Sequence, residues 1–345
     1  MKNFRIAIWI LACALLFSLA QKPMCAKNPI RLRIGTMAPE DTLWHEILKY
    51  IKQEWGKITN NEVEVKIFAG GVLGDESEMV EHMRGEALQA VGLTSAGLSR
   101  IDKSINCLQI PMMFRSYEEL DYVRDRIGPL LEKKLEERGF KLLLWADAGW
   151  VYTFAKNPVR TPDELRKMKL FTQAGDSVTE KLWKDLGFRV FTFSLTDIIT
   201  ALQTGKVNAF NLPPEFALSI NAYRQAPNMI GIRWLPLVAG TVIDMRAWER
   251  IPEKYRPQML EAAQEAGNRY RDGIRKMGED SIREMKVRRL NVVELDSDEV
   301  AIWQREAEEA YKKLRGPYAP ADLFDEVRRL RDEFRASKET DRVEK

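Results

Sequence analysis

The side chains able to do catalytic or metal chemistry are few and far apart in this sequence. His45 and His82 are its two histidines, and Cys13, Cys25 and Cys107 its three cysteines. Neither set has the spacing of a metal cluster. His45 stands beside Glu46 on one helical pattern and His82 on a charged one, both surface positions. Ser95 lies in Thr94-Ser95-Ala96-Gly97, which lacks the G-x-S-x-G context of a nucleophile elbow. There is no glycine-rich phosphate loop, and no paired carboxylates or nucleophile–base set fall together. The residues imply no catalytic group, metal or cofactor. Charge excludes another class: 54 basic and 51 acidic residues are interspersed and leave a net +3. With no basic block, nucleic acid is not an expected partner. What remains is burial. Between Trp145 and Phe216, short apolar runs alternate with turn signals, as suits the grip of a binding cleft.

The elements that would position such a cleft can be read in order. Ile30–Gly35 and Val63–Ile67 alternate apolar and polar residues as strands, and Leu88–Thr94 is a third. Between them, Leu43–Trp55 carries Leu43, Ile47, Leu48, Ile51 and Trp55 at helical spacing behind a Thr42 cap. A second helix runs to Met83 behind Asp75. Strand–helix–strand repetition predicts a mostly parallel sheet with helices on both faces. Ligand clefts in such sheets open beyond the strands' carboxyl ends, here Thr36-Met37 and Thr94-Ser95. Ser116 to Glu119 reads as a capping box. Lys141–Trp145 and Val151–Ala155 read as separate strands. Pro257–Val287 predicts one long helix, and Ala321–Phe334 the last.

Length gives two domains of ordinary size. Lys2 and Arg5 precede an apolar run from Ile6 to Ala20 that ends in Ser18-Leu19-Ala20, the anatomy of a secretory signal peptide. The run is short for a spanning helix, with an uncleaved anchor and a lipid-modified Cys25 as the alternatives. The expected product is exported and periplasmic, without a structural disulfide.

Five passages in order carry a family resemblance: LRIGTMAPEDTLWHEILKYI, VEVKIFAGGVLGDESEMVEHMRGEALQAVGLTSAGL, LQIPMMFRSYEELDYV, RTPDELRKMKL and LTDIITALQTGKVNAFNLPP. The chain resembles the solute-binding subunits of tripartite ATP-independent periplasmic (TRAP) transporters, in their dicarboxylate-binding branch. ALQTGKV is the most specific phrase. The resemblance implies an α/β, two-lobed periplasmic-binding-protein-like fold, with central mixed sheets flanked by helices and a long helix spanning both lobes. It implies capture of a small molecule and delivery to integral-membrane permease subunits, with an accessory periplasmic protein as a further partner. The expected division is a signal and lead-in at 1–26 and lobe I at 27–148 plus about 235–270. Lobe II takes 149–234 plus about 271–335, and 336–345 is expected to be disordered.

The sequence departs from the family where the family grips its carboxylate. An arginine is usual at the end of the passage Leu165–Phe171, a second follows a glycine–aromatic turn, and an asparagine precedes the next proline. Those positions hold Phe171, Val151 and Leu212. A carboxylate here would lose its hydration without charged donors in return. The reading is therefore an apolar or amphipathic ligand with a polar end near Thr36, Thr94 or Ser95. The expected lining is Met37, Trp44, Thr94, Ser95, Met112, Phe114, Trp150, Val151, Phe171, Leu195, Leu212, Phe216 and Trp234. Arg189 or Arg233 could replace the missing arginine and keep a small organic acid in play. A cleft that has lost its ligand and serves as a structural partner, or an enzyme using the same cleft, are the competing classes.

Overall fold

The computed structural model describes residues 28–174 and 177–343. Its strands are β1 Ile30–Thr36, β2 Val63–Phe68, β3 Ala90–Thr94, β4 Phe140–Ala155, β5 Lys169–Gln173, β6 Arg189–Phe193, β7 Ala209–Leu212, β8 Asn228–Ile230, β9 Leu235–Asp244 and β10 Asn291–Val293. The helices are α1 Leu43–Ile58, α2 Glu76–Arg84, α3 Ser95–Ile101, α4 Tyr117–Glu137, α5 Pro162–Arg166, α6 Ser177–Asp185, α7 Ile198–Gln203, α8 Pro214–Ser219, α9 Met245–Arg250, α10 Arg256–Val287, α11 Ser297–Leu314 and α12 Ala321–Val343.

The strands run β2-β1-β3-β9-β4-β7-β5-β6, with β8 on β4 and β10 on β8. β1, β2 and β3 are parallel, as are β5, β6 and β7, while β9 and β4 run antiparallel to their neighbours. This is the expected α/β architecture with a mixed sheet. Two expected strands prove to be one. β4 pairs with β9 from Phe140 to Val151 and with β7 and β8 only from Tyr152 onward, so it crosses from one lobe to the other. Its register shifts between Asp147 and Trp150, where Gly149 has φ +87°. The glycine signal that suggested a break marks a bulge within a continuous strand.

The expected long helix is α10, 32 residues and about 48 Å at 1.5 Å per residue. It packs against α1, β4 and α8, so both lobes share it. Trp55, fully buried on α1, donates its indole N–H to the Met259 carbonyl of α10 at 2.8 Å. Thr42 caps α1 by accepting from the His45 amide. Asp75 and Glu78 form a complete capping box on α2. The expected box at Ser116 is only half made. Ser116 accepts from the Glu119 amide, but the Glu119 carboxylate turns to the Arg115 amide and to Arg335.

That pairing bears on the C-terminus. α12 packs against α4 and the 3-10 turn Lys103–Leu108, in the first lobe, whereas α11 packs against α5 and α6 in the second. The expected placing of 321–335 in lobe II is corrected accordingly. The helix also continues through Val343, so 336–343 is not the disordered tail expected. Lack of apolar periodicity at 336–340 goes with exposed side chains on a helix that is anchored just before, with Arg335 bound to Glu119. The N-terminal signal-like run and Cys25 lie outside the described residues, and Cys107 is a free, buried thiol.

Candidate functional site

A cavity of about 290 Å³ opens between the lobes, across the crossing strands. The carboxyl ends of β1 and β3 bring Thr36, Met37, Thr94 and Ser95 to it, as sheet topology predicts. α1 adds Trp44, Ile47 and Leu48. The second lobe contributes Phe171 from β5, Trp183 from α6, Asn211 and Leu212 from β7, and Phe216 from α8. Val151 from β4 and Leu237 and Ala239 from β9 form the floor.

Phe171, Val151 and Leu212 thus all line the one cavity. Phe171 is held between β6 and β7, and Val151 pairs with Leu235, its carbonyl accepting from the Trp234 amide at 3.0 Å. Met37, Trp44, Thr94, Ser95, Leu195, Phe216 and Trp234 also line the cavity. Three expected residues do not. Trp150 falls on the opposite side of β4 from Val151, because successive strand residues face opposite ways. Its ring lies 5.4 Å from Tyr117, beneath the Arg233 guanidinium. Met112 and Phe114 are buried in the turn before α4, and Pro111 reaches the wall instead. Met112, at φ +51°, gives its amide to the Trp234 carbonyl.

The electrostatics of the wall are one-sided. Among the described residues that line it, none is Arg, Lys or His, and Glu76 is the one carboxyl. Glu76 is itself fully engaged. Its oxygens accept from the Thr94 amide and hydroxyl at 2.8 Å each and from the Gly97 amide at 2.7 Å. Burial raises its pKa, against the hydrogen bonds that lower it. The carboxyl staples α2 to the β3–α3 turn, and Gly97 leaves room for it, since a Cβ there would come within 2.6 Å of Leu93 Cδ2 and 2.8 Å of Glu76 Oε2. The two fallback arginines stand elsewhere. Arg189 is exposed on β6, reaching toward the Lys167 carbonyl. Arg233 is exposed at the lobe junction, donating to the Arg115 carbonyl.

Behind the floor lies a buried ionic clamp that the sequence did not disclose. Arg124 donates to Asp147 at 2.6 Å and Asp121 at 2.7 Å. Arg275, from α10, donates to the same two carboxylates at 2.6–2.7 Å. Trp44, on the cavity wall, donates its indole N–H to the Asp147 carbonyl. The clamp joins α4, β4 and α10, and its two positive charges are matched by two negative ones. Asp121–Arg124 is an ordinary helical i,i+3 pair, so nothing local announced partners more than a hundred residues away.

Other wall residues were also missed. Trp183 lies on a plainly amphipathic helix and stacks on Trp234 at 5.4 Å, with Trp303 edge-on behind. Asn211 faces Thr153 across β4 and β7, and Thr153 donates to its Oδ1 at 2.6 Å. Asn211 Nδ2 and Ser95 Oγ are enclosed and have no protein partner. Most other polar wall groups are engaged: Gln109 donates to the Pro236 carbonyl and Asn106 to that of Tyr318.

Comparison with known proteins agrees with this architecture. The profile of the DctP family, bacterial extracellular solute-binding protein family 7, matches residues 34–316. The C4-dicarboxylate-binding periplasmic protein DctP of Rhodobacter capsulatus is 25% identical over 293 residues, 83% of this chain and 87% of its own. The 2,3-diketo-L-gulonate-binding periplasmic protein YiaO of Escherichia coli is 23% identical over 241 residues, 69% of this chain and 73% of its own. Among solved structures, a TRAP periplasmic solute-binding protein of Xanthobacter autotrophicus with bound β-D-galacturonate superposes with a TM-score of 0.79. It is 20% identical, and the match covers 87% of this chain and 99% of that one.

Proposed function

Because the chain belongs to bacterial extracellular solute-binding protein family 7, we propose that it holds an uncharged, mainly apolar solute between its lobes and presents it to the membrane subunits of a TRAP-type transporter. The observation that carries the ligand class is the wall without a cation. An apolar body gains roughly 25 cal/mol per Å² on burial against Val151, Phe171, Leu212 and the tryptophans. A carboxylate placed there would surrender its water for neutral donors alone, beside a carboxyl that already lacks spare partners. The arginines nearest the floor are committed to Asp121 and Asp147. Ser95 Oγ and Asn211 Nδ2 supply one hydrogen-bonding position on each lobe, enough for a single carbonyl or hydroxyl end. Export and binding without turnover are the reading that the family's extracellular solute-binding role supports. Lobe closure turns on the crossings at Ala148–Gly149 and Leu235–Val238 and on the long helix.

An organic acid is the second reading. What favours it is that similar structures carry acids: β-D-galacturonate in one, D-glucuronate and orotic acid in others. Thermal unfolding with matched pairs separates the two readings. Methyl 2-naphthoate against 2-naphthoate, and the methyl ester of D-galacturonate against the acid, differ in charge at near-constant shape. A ligand at 100 times its Kd adds about 2.7 kcal/mol. Stabilisation by the uncharged member of a pair is the expected result; stabilisation by the acid alone establishes the second reading.

A further inference from the structure

A second buried carboxyl lies at the lobe junction, outside the cavity. Glu215, on α8, is 7% exposed, and neither of its oxygens has a hydrogen-bond partner. It lies directly against the bulge of β4. A Cβ on Gly149 would fall 2.2 Å from Glu215 Oε1, and one on Gly278 of α10 3.4 Å from Oε2. Two of the three chain segments that meet at this side chain, the crossing strand at Gly149 and the spine helix, are the hinges proposed above, and the third is the second-lobe helix α8 that carries Glu215.

Its surroundings offer no ready counter-charge. Tyr117 comes from α4, Asp147 and Tyr152 from β4, Arg275 and Glu279 from α10, and Arg233 from the segment before β9. Tyr223 and Arg224 lie on the 3-10 turn Ala222–Arg224 that packs on α8. Arg275 is directed at Asp121 and Asp147, and Arg224 at the Tyr223 hydroxyl. An ionised carboxylate enclosed without a partner is strongly disfavoured, so this arrangement selects the neutral acid. Burial pushes the Glu215 carboxyl up to about 7.

We propose that Glu215 is a proton-operated hinge element. Protonated, it packs dry against Gly149 and the spine helix and holds the lobe angle seen here. Ionised, it leaves that pocket for water or for Arg233, an exposed cation of the junction that also meets Glu279 and the Arg115 carbonyl, and the lobe angle changes. The inference is independent of which solute the cavity takes.

The sign is fixed by linkage. A folded-state pKa above the unfolded value means that the folded chain retains the proton to higher pH. Its stability relative to a neutral glutamine is therefore greatest below about 4.5 and declines as pH rises through about 7. Small-angle scattering of the ligand-free protein from pH 5 to 8.5 tests the hinge. The wild type should change its radius of gyration with a midpoint near 7, and Glu215→Gln should keep the low-pH profile throughout. A pH-invariant wild-type profile overturns the proposal, as does an unaltered transition in Glu215→Gln; His45 and His82 remain in that variant and control for themselves. Should the glutamine variant not fold, carbon-13 titration of glutamate carboxyls in the wild type decides. A carboxyl midpoint near 7, moved in Glu215→Asp, supports the proposal, and midpoints all in the ordinary range near 4.3 overturn it.

Discussion

The cavity wall and the clamp behind it lie back to back on β4, and they treat charge in opposite ways. On the solute side, the strand presents Ala146, Ala148 and Val151 to a wall with no cation. On the other, Asp147 binds two arginines. The chain is not short of arginine; Arg124 and Arg275 join α4, β4 and α10 and do not line the cavity. The difference teaches that a binding site's charge cannot be inferred from how many charged residues surround it. It depends on which face of a strand carries them and whether they are already paired.

The largest expected effect comes from breaking the clamp. Arg124→Met leaves Asp147 and Asp121 with one arginine between them, and removing one partner of a buried pair costs about 3–5 kcal/mol. Chemical denaturation should show that loss. Solute affinity of the folded fraction should change little, because no clamp side chain lines the cavity and the one link to it, Trp44, is held by the Asp147 main-chain carbonyl; a parallel collapse of affinity would mean that the two faces are not separable.

Next in size is Phe171→Arg. Losing the apolar contact of a phenylalanine is worth about 1.5–3 kcal/mol, so affinity for an uncharged apolar solute should fall by roughly 10- to 100-fold. Carboxylates should gain. Equal affinities in mutant and wild type, measured by calorimetry, would place position 171 outside the site.

A smaller change is expected at the polar tip. Asn211→Leu removes a donor worth about 0.5–1.5 kcal/mol net, and should discriminate: ketones and esters weaken, while pure hydrocarbons do not. Comparing 2-acetylnaphthalene with 2-ethylnaphthalene on both proteins reads this directly.

The smallest expected effect is Arg335→Ala, which breaks a partly exposed pair with Glu119. A loss of about 1 kcal/mol or less is anticipated, visible as fraying of α12 in amide exchange. Complete protection of that helix in the variant would mean its apolar face alone anchors it.

The sequence was most informative where signals are local. The alternation in β1 and β2, the helical spacing in α1 and the long run of α10 each depend on nearby residues, and each appears as read. The positions Phe171 and Leu212 were indexed by neighbouring motifs and do reach the cavity wall. Trp150 was misassigned because a bulge, invisible without the β9 partner, sets which face of β4 it takes. Met112 and Phe114 were misassigned because apolarity alone does not distinguish a cavity wall from a core. The clamp and Glu215 were illegible for a third reason. Asp121, Asp147 and Arg275, or Glu215, Gly149 and Gly278, are brought together only by the crossing strand and the spine helix.

The central claim, an uncharged and mainly apolar solute in a cation-free cleft, is tested most directly by what the protein carries. The protein should be purified from its native host without heating, denatured in organic solvent, and the released small molecules identified by mass spectrometry against a Phe171→Arg control. A stoichiometric neutral molecule, largely hydrocarbon with a carbonyl or hydroxyl end and depleted in the control, is the expected result. A stoichiometric sugar acid or dicarboxylate in the wild-type extract would contradict it.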